Sequence, residues 1–497
     1  MIQTVENIGE KLVSMLTYDA SQPLIFSSGL FLFLFAGFLF FYGFTRRAPM
    51  ARIVYVILFS LYFYYKSSGI YFLLLVFASV SDYWIAHAIY KVRTQRAKYW
   101  LVGLSVLVNL GMLGYFKYTN FLIEIANNLF GQGFLNFQNI FLPVGISFFV
   151  FQSMSYTIDI CRGQLKPLNN WADYLFYLSF FPQLVAGPIV RAKDFIPQIR
   201  QNPLRVTREM FGMGVFLILI GLFKKAVISD YISLNFVDRI FDEPLLYSGF
   251  ECLMGIYGYA LQIYCDFSGY SDMAIGIALL LGFRFPKNFD APYKSATITE
   301  FWRRWHISLS TWLRDYLYIS LGGNRKGRIR TYFNLLVTML LGGLWHGAAV
   351  RFILWGALHG IALALHKLWL SVVPGSKATG AEMRWFWRIP GIFFTFNLVC
   401  FGWLMFRAES MKTVQLMLHQ IFTNFNPSVI PQVLEGYAGI FLLVGIGYLL
   451  HMLPDRCEQR FVTSLPTVVQ VLLAACVIWL VMQVKSSDIQ PFIYFQF

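Results

Sequence analysis

Apolar segments recur at short intervals along the whole chain. They lie near residues 24–44, 53–65, 70–88, 99–116, 134–160, 171–190, 210–229, 247–262, 271–285, 331–349, 352–370, 389–406, 436–453 and 466–484. Soluble domains carry about 25% charged residues, whereas only 13% of these 497 residues are charged and 57% are hydrophobic. A soluble protein could not bury so much apolar surface. The sequence therefore predicts an all-α polytopic membrane protein and excludes a disordered chain, a coiled coil and a secreted disulfide scaffold.

Many of these segments are shorter than the ~20 residues that a straight transmembrane helix needs. We therefore expect about eleven transmembrane helices, with the other segments forming re-entrant or interfacial helices. Residues 1–23 lack the basic start and apolar core of a signal peptide. They carry apolar side chains at helical spacing, at Ile2, Val5, Ile8, Leu12 and Leu16. We predict a short amphipathic extension lying on the membrane here, followed by one transmembrane domain over residues 24–497.

The formal net charge of +15 does not predict a nucleic-acid partner. The basic residues of the first third cluster at 46–52, 91–98 and 162–166, each cluster two apolar segments after the last. This alternation is typical of cytoplasmic loops in multi-pass membrane proteins. The six cysteines are scattered, without a CxxC pair or a nearby histidine, so we expect neither disulfides nor a metal site.

The alternation of charge fails at residues 171–190. This segment lies between the basic cluster at 162–166 and a second one at 191–208, and one simple span cannot have both ends inside. Pro182, Gly187 and Pro188 also interrupt a helix here. We predict a re-entrant element beside an internal cavity, because broken backbone at membrane depth needs such cover. Residues 331–350 show the same irregularity, because this apolar segment also has a basic residue at each end, Arg330 and Arg351.

His346 is the first candidate for chemistry. It lies in the segment Leu341–Gly347, and a histidine in an apolar segment is costly unless it faces a cavity or a partner. Histidine exchanges protons near neutral pH, which suits a general base. Neighbouring glycines would let a substrate or another backbone approach closely. They are Gly342, Gly343 and Gly347. The alternative is a core histidine bound to a carbonyl group.

His306 is the second candidate, in the segment Phe301–Ser310. Thr297 and Glu300 have the spacing of a capping box, which predicts that a helix begins there. Continued helical spacing gives a polar stripe and a mostly apolar one. The polar stripe holds Arg304, Ser308, Thr311 and Asp315, and the apolar one holds Trp302, His306, Leu309 and Leu313. The alternative is an interfacial amphipathic helix.

Three further features favour structural roles. His359, in Trp355–Gly360, is a weaker candidate for which we expect a structural role. Asp266 and Asp272 are six residues apart and do not share a helix face, so we expect salt bridges or capping and not an acid/base pair. The basic loop Gly322–Arg330 fits a cytoplasmic loop, and its glycines and cations could also hold phosphates, although it lacks a Walker pattern.

Several of these residues lie in longer motifs by which the sequence resembles the membrane-bound O-acyltransferase family, in its bacterial alginate O-acetyltransferase branch. The matching stretches are Phe180–Arg191, Asp266–Gly276, Asn288–Tyr293, Phe301–Tyr318, Leu340–Ala348 and Phe492–Phe497. The resemblance covers about residues 25–497, and its specificity comes from several long motifs in order. It implies a catalytic region of about 180–360, within a ring of helices around a thinned centre with funnels on both sides.

The resemblance also implies roles. His346 would be the catalytic histidine and His306 the second one. An acyl thioester, here acetyl-CoA, would enter from the cytoplasm as donor substrate, with no bound cofactor, and a hydroxyl acceptor would wait outside. We expect substrate contacts from Arg304, Trp305, Asn334, Trp345, Arg325 and Lys326.

The expected location is the bacterial cytoplasmic (inner) membrane, in contact with lipid. The expected partners are a polysaccharide acceptor and a separate extracytoplasmic protein with a hydrolase-like domain, which passes the acetyl group on. Two other functions stay open. One is D-alanyl transfer to teichoic acids, and the other is transport of a polysaccharide or lipid-linked sugar, although inverted halves are not visible. A structural scaffold would not explain histidines at membrane depth.

Overall fold

The computed structural model describes residues 13–20, 22–45, 47–185, 187–202, 204–373, 384–453, 464 and 466–484. Over these residues the secondary structure is helical, without a β-strand. They form two compact units. The first contains the described residues up to Phe216 together with Ala274–Pro286, and the second contains Leu217–Met273 and the described residues from Lys287. Most of the predicted N-terminal amphipathic helix lies outside the described residues.

The first unit is built from short and medium helices. They are α1 (Gly29–Thr45), α2 (Pro49–Ser68), α3 (Phe72–Lys91), α4 (Gln95–Leu113), α5 (Thr119–Phe130), α6 (Ile146–Cys161), α7 (Trp171–Ser179), α8 (Phe181–Leu184) and α9 (Ala192–Ile199). Two further helices, α10 (Arg208–Leu222) and α12 (Gly249–Leu280), contribute residues to both units, and α11 (Asp238–Asp242) lies between them in sequence.

The second unit holds the candidate histidines. Its further helices are α13 (Ile298–Arg304), α14 (Ile307–Trp312), α15 (Arg328–His346), α16 (Val350–Val372), α17 (Trp385–Arg407), α18 (Met411–Thr423), α19 (Ile430–Gly436), α20 (Ala438–Met452) and α21 (Thr467–Val484). Short π-helical turns extend several helices, including Phe223–Asp230 after α10 and Leu313–Tyr318 after α14. Such turns often mark functional regions.

Five helical stretches of the described chain are long and apolar enough to cross a membrane. They are Pro49–Lys91, Gln95–Phe130, Arg208–Asp242, Val350–Val372 and Trp385–Arg407. The pair Pro427–Gly436 and Ala438–Met452 passes the same test jointly and is bent by 88°. In the most apolar part of each stretch, no more than 44% is buried inside the protein. Many apolar side chains therefore face outward, as contact with lipid requires. The multi-pass helical class is confirmed, and the number of eleven spans stays a prediction.

The segment 171–190 is broken, as its prolines and glycine predict. Helix α7 begins after an Asn170 cap and ends at Ser179, and at Phe180 the backbone leaves helical geometry before Pro182. The Phe181 N–H, which the break removes from the helix, donates to Ser60 Oγ at 3.2 Å. A Cβ built on Gly145, whose φ is +76°, would collide with the Leu184 carbonyl oxygen, so only glycine allows this approach. The re-entrant path of this segment stays a prediction.

Residues 331–350 do not contain a break like that of segment 171–190. Helix α15 runs unbroken through Gly342 and Gly343 and ends at His346, and α16 follows after three residues. The two glycines therefore do not interrupt a span. A Cβ built on Gly343 would collide with the Phe352 carbonyl oxygen, and one built on Gly356 would collide with that of Met339. Small residues thus let the backbones of α15 and α16 touch, as in closely packed membrane helices.

Candidate active site

His346 is held at the end of the α15–α16 hairpin by aromatic rings. It is buried, and its ring centroid lies 5.0 Å from that of Trp345, 5.0 Å from Trp355 and 5.3 Å from Phe406. The chain leaves α15 through Gly347, where a Cβ would collide with the Phe352 ring. The backbone contact that requires glycine and the aromatic neighbours therefore fix the position of the imidazole. The prediction that the glycines serve a close approach is confirmed for Gly343.

The helix that carries the second histidine is interrupted. Helix α13 begins as predicted, because Thr297 Oγ1 accepts from the Glu300 N–H at 3.1 Å. It ends at Arg304, Trp305 is extended, and His306 adopts the left-handed conformation with φ 42° and ψ 58°. The predicted single helix with its polar and apolar stripes is wrong.

The interruption is caused by residues 288–290. The Ile307 N–H donates to the Asn288 carbonyl oxygen at 2.8 Å, and the Asp290 N–H donates to the Arg304 carbonyl oxygen at 2.9 Å. These bonds satisfy backbone groups that the break leaves exposed. A left-handed conformation costs a non-glycine residue about 1–3 kcal/mol, and such strain collects at functional sites. The surrounding contacts therefore hold His306 in a conformation that its own preferences oppose.

Asn288 also fixes the proton on the His306 ring. Its Oδ1 accepts from the Ser308 backbone N–H at 3.1 Å, which identifies that atom as the amide oxygen. His306 Nδ1 lies 3.2 Å from the same oxygen. An amide oxygen can only accept, so Nδ1 carries the hydrogen and the neutral ring has its lone pair on Nε2. His306 is buried, with Phe267 and Phe289 at ring-centroid distances of 5.3 and 6.0 Å.

A row of tryptophans connects the surroundings of the two histidines within the second unit. Trp305 precedes His306, and its ring centroid lies 4.8 Å from that of Trp403. Trp403 stacks on Trp355 at 6.1 Å, and Trp355 is the neighbour of His346 already described. The structure therefore brings His306, Trp305, Trp345 and His346 into one buried aromatic region. Trp355 and Trp403 were not among the predicted site residues.

The remaining predicted substrate contacts lie in other settings. Arg304 is paired with Glu300 at 3.0 Å and with Asp290 at 3.5 Å, so it braces the interruption. Asn334 is buried on α15, where its Nδ2 donates to the Gly323 carbonyl oxygen at 3.0 Å. Arg325 and Lys326 are exposed in the segment before α15. Asn334 thus anchors the start of the basic loop, and substrate contact by these four residues stays a prediction.

Asp266 and Asp272 form ion pairs, as predicted. Lys225 Nζ lies 2.6 Å from Asp266 Oδ1 and 2.7 Å from Asp230 Oδ1, and Lys224 Nζ lies 2.8 Å from Asp272 Oδ2. Adjacent lysines at the π-helical turn 223–230 therefore serve two carboxylates on α12. Sequence reasoning missed both lysines, although intramembrane carboxylates require partners.

Comparison with known proteins identifies the family. The model of MBOAT, the membrane-bound O-acyltransferase family, matches residues 164–411. A probable alginate O-acetylase of Azotobacter vinelandii is 44% identical over 406 residues, which is 80% of this chain and 78% of that protein. The chain belongs to the membrane-bound O-acyltransferase family. The predicted resemblance is confirmed, and the protein is a membrane O-acyltransferase.

Other similar proteins are named for different polymers. A peptidoglycan O-acetyltransferase of Helicobacter pylori is 37% identical over 428 residues, 80% of this chain and 79% of that protein. A teichoic acid D-alanyltransferase of Streptococcus thermophilus is 31% identical over 337 residues, 64% of this chain and 77% of that protein. The MBOAT match contains both candidate histidines and all six predicted substrate contacts. Their individual roles stay predictions.

Proposed function

We propose that this MBOAT protein transfers an acetyl group from a thioester donor, acetyl-CoA on the cytoplasmic side, to a hydroxyl group of an extracytoplasmic acceptor. The observation that carries the proposal is the pair of buried histidines, each held in a fixed position within one aromatic region. The greater identity to the alginate O-acetylase than to the D-alanyltransferase favours acetyl as the acyl group.

In the proposed reaction His346 is the general base. It takes the proton from the acceptor hydroxyl, and the oxygen attacks the thioester carbonyl carbon. The C–O bond forms while the carbonyl electron pair moves to oxygen. Collapse of this intermediate breaks the C–S bond, and the thiolate takes the proton from the His346 imidazolium. The products are an acetyl ester and free coenzyme A, and general-base help of this kind contributes about 10²–10⁴-fold.

His306 is proposed to orient the acceptor. Its Nδ1–H is directed to Asn288, so the neutral ring offers a lone pair on Nε2. A lone pair accepts a hydrogen bond from a hydroxyl group but cannot stabilise a developing oxyanion. This chemistry favours contact with the hydroxyl acceptor over contact with the thioester carbonyl. Fixing such a group before reaction lowers the barrier by positioning.

The proposed acceptor is an envelope polysaccharide or a partner protein with a hydrolase-like domain that passes the acetyl group on. The proposed location is the bacterial inner membrane, where a cytoplasmic thioester and an extracytoplasmic hydroxyl reach opposite sides of one protein. The relatives that are an alginate O-acetylase and a peptidoglycan O-acetyltransferase support polymer acceptors such as alginate and peptidoglycan.

The test is to identify the acids that mild alkali releases from envelope polysaccharide, by mass spectrometry. Cells carrying the wild-type protein are compared with cells carrying His346→Ala and, as a matched control, His419→Ala, which removes an exposed histidine. Loss of acetate in His346→Ala alone supports the proposal. Loss of D-alanine assigns the alternative acyl group, and unchanged acids in His346→Ala contradict acyl transfer through this residue.

A further inference from the structure

Three aromatic side chains that carry ring nitrogens meet beside His346. The His359 ring centroid lies 4.7 Å from that of Trp355 and 5.2 Å from that of Trp302. The two indole rings are 5.7 Å apart, and Trp355 also contacts His346 at 5.0 Å. Trp302 comes from α13, and the other two come from α16. The cluster therefore adjoins the proposed general base without containing it.

Four nitrogens of this cluster are buried and have no hydrogen-bond partner among the described residues. They are Nε1 of Trp302, Nε1 of Trp355, and Nδ1 and Nε2 of His359. Buried polar groups in native proteins are almost always hydrogen-bonded to protein, to water or to a ligand. The structural role that the sequence favours for His359 would need such a partner within the protein. The concentration of orphaned nitrogens at one place therefore indicates a missing acceptor.

The backbone of α17 passes close to two of these nitrogens. A Cβ built on Gly402 would lie 3.0 Å from His359 Nε2 and 3.4 Å from Trp355 Nε1. Both nitrogens therefore border the same point, and any side chain at Gly402 would press against them. Glycine at this position lets α17 approach the two nitrogens without displacing either ring.

The chemistry of the cluster selects its ligand. Indole N–H groups only donate, and a neutral imidazole has one donor nitrogen and one acceptor nitrogen, so three of the four nitrogens require an acceptor. The surrounding walls are apolar, since Phe301 stacks on His359 at 6.2 Å. No cationic side chain belongs to the cluster, which disfavours a phosphate, and the donors disfavour a metal ion. A small apolar group with one acceptor oxygen fits best.

We propose that Trp302, Trp355 and His359 bind the carbonyl oxygen of the acetyl thioester. The inference rests on the proposed function and names the subsite of its donor. The acetyl methyl group lies against the aromatic walls, and the carbonyl carbon lies beside His346. When the acceptor oxygen adds to that carbon, the carbonyl electron pair moves to the oxygen, and the same N–H groups stabilise its charge. Prearranged donors of this kind are a major source of rate enhancement.

The test compares equilibrium binding of acetyl-CoA with that of S-ethyl-CoA, in which CH₂ replaces the carbonyl group, to the purified full chain without an acceptor. Each net hydrogen bond contributes about a 2- to 12-fold preference for the carbonyl ligand. We expect the wild type to prefer acetyl-CoA. Trp355→Phe and Trp302→Phe should each reduce that preference, His359→Phe should reduce it further, and all three should bind S-ethyl-CoA as the wild type does.

The tryptophan variants keep an apolar ring, so they carry the test even where His359→Phe does not fold. Trp171→Phe is the matched control, because the Trp171 Nε1–H already donates to Ser79 Oγ at 3.3 Å, and its preference should equal that of the wild type. The proposal is overturned if the wild type shows no preference, or if both tryptophan variants keep it in full. Lowered thermal stability with an unchanged preference would assign a buried water to the cluster.

A failure of the proposed function can be distinguished from a failure of the carbonyl subsite. His346→Gln should lose acetyl transfer but keep the preference for acetyl-CoA over S-ethyl-CoA. If His346→Gln still transfers acetate, the proposed base is wrong, whatever the tryptophan variants show. If His346→Gln is inactive and the tryptophan variants bind both ligands as the wild type does, only the carbonyl subsite is wrong.

Discussion

The side-chain oxygen of Asn288 lies 3.2 Å from Nδ1 of His306, and it is the same oxygen that accepts the Ser308 backbone N–H. One amide thus both closes the interruption between α13 and α14 and selects the tautomer of the buried ring. The geometry of the chain and the chemistry of His306 therefore depend on the same residue.

Asn288→Ala should reduce acetyl transfer per folded molecule, because His306 loses the acceptor that fixes its tautomer. Leaving the buried donors without their partner should also cost about 1–3 kcal/mol of stability. Asn127→Ala is the matched control, since Asn127 is also buried and braces a loop through Leu135, with bonds of 2.9 and 2.8 Å. Activity of purified protein and thermal unfolding are measured for both. Equal losses of specific activity in the two variants would refute the role of Asn288.

Replacement of His306 can separate its ring from its backbone. Asparagine tolerates the left-handed conformation, whereas a β-branched residue does not. His306→Asn should fold and lose transfer by about 10²-fold, as expected for a misplaced reactant. His306→Val should in addition lower the yield of folded protein. Wild-type activity in His306→Asn, measured with labelled acetyl-CoA, would show that the ring has no role in transfer.

Alanine substitution should destabilise the protein at one of two adjacent glycines on α15 and be tolerated at the other. Gly343→Ala places a methyl group against the Phe352 carbonyl oxygen, whereas the nearest atom to a Cβ on Gly342 is Leu313 Cδ1 at 3.3 Å. Overpacking of a tight contact costs about 1–3 kcal/mol. Gly343→Ala should therefore lower the melting temperature in detergent and displace His346, while Gly342→Ala should be tolerated. Equal melting temperatures for the two variants would contradict the backbone contact between α15 and α16.

The buried lysine at the π-helical turn should be essential for folding. Lys225 is 3% exposed and lies between Asp230 and Asp266, so Lys225→Met leaves two carboxylates without their shared cation. Removing one partner of a buried ion pair costs about 3–5 kcal/mol. Lys287→Met is the control, because Lys287 is 48% exposed in its pair with Asp290, and exposed pairs contribute about 0–1 kcal/mol. Similar yields and stabilities for the two variants would contradict a structural role for Lys225.

Local sequence signals predicted the features that depend on local chemistry. The cap at Thr297, the break at Pro182 and the glycine-dependent approach beside His346 each follow from a few neighbouring residues. The interruption at His306 could not be predicted in this way, because it is made by Asn288 and Asp290, which lie 14 to 20 residues away in sequence from their partners. Helical spacing continues across Trp305, so periodicity alone favoured one helix.

The surroundings of His359 also could not be predicted from local sequence signals. The sequence places this histidine one helical turn after Trp355 but does not reveal that Trp302 and Gly402 meet it from two other helices. The lysine partners of Asp266 and Asp272 were likewise set by tertiary contact. The family motifs predicted which residues are important, and the structure shows which of them share an environment.

The most direct test of the account uses sealed inside-out membrane vesicles from cells that make the protein and its envelope acceptor. Radiolabelled acetyl-CoA is added outside, at the original cytoplasmic face, and alkali-labile acetate is measured in polymer or protein enclosed within the vesicles. The account predicts enclosed labelled acetate with the wild-type protein and none above background with His346→Gln at equal expression. Equal enclosed label with His346→Gln would contradict transfer through His346.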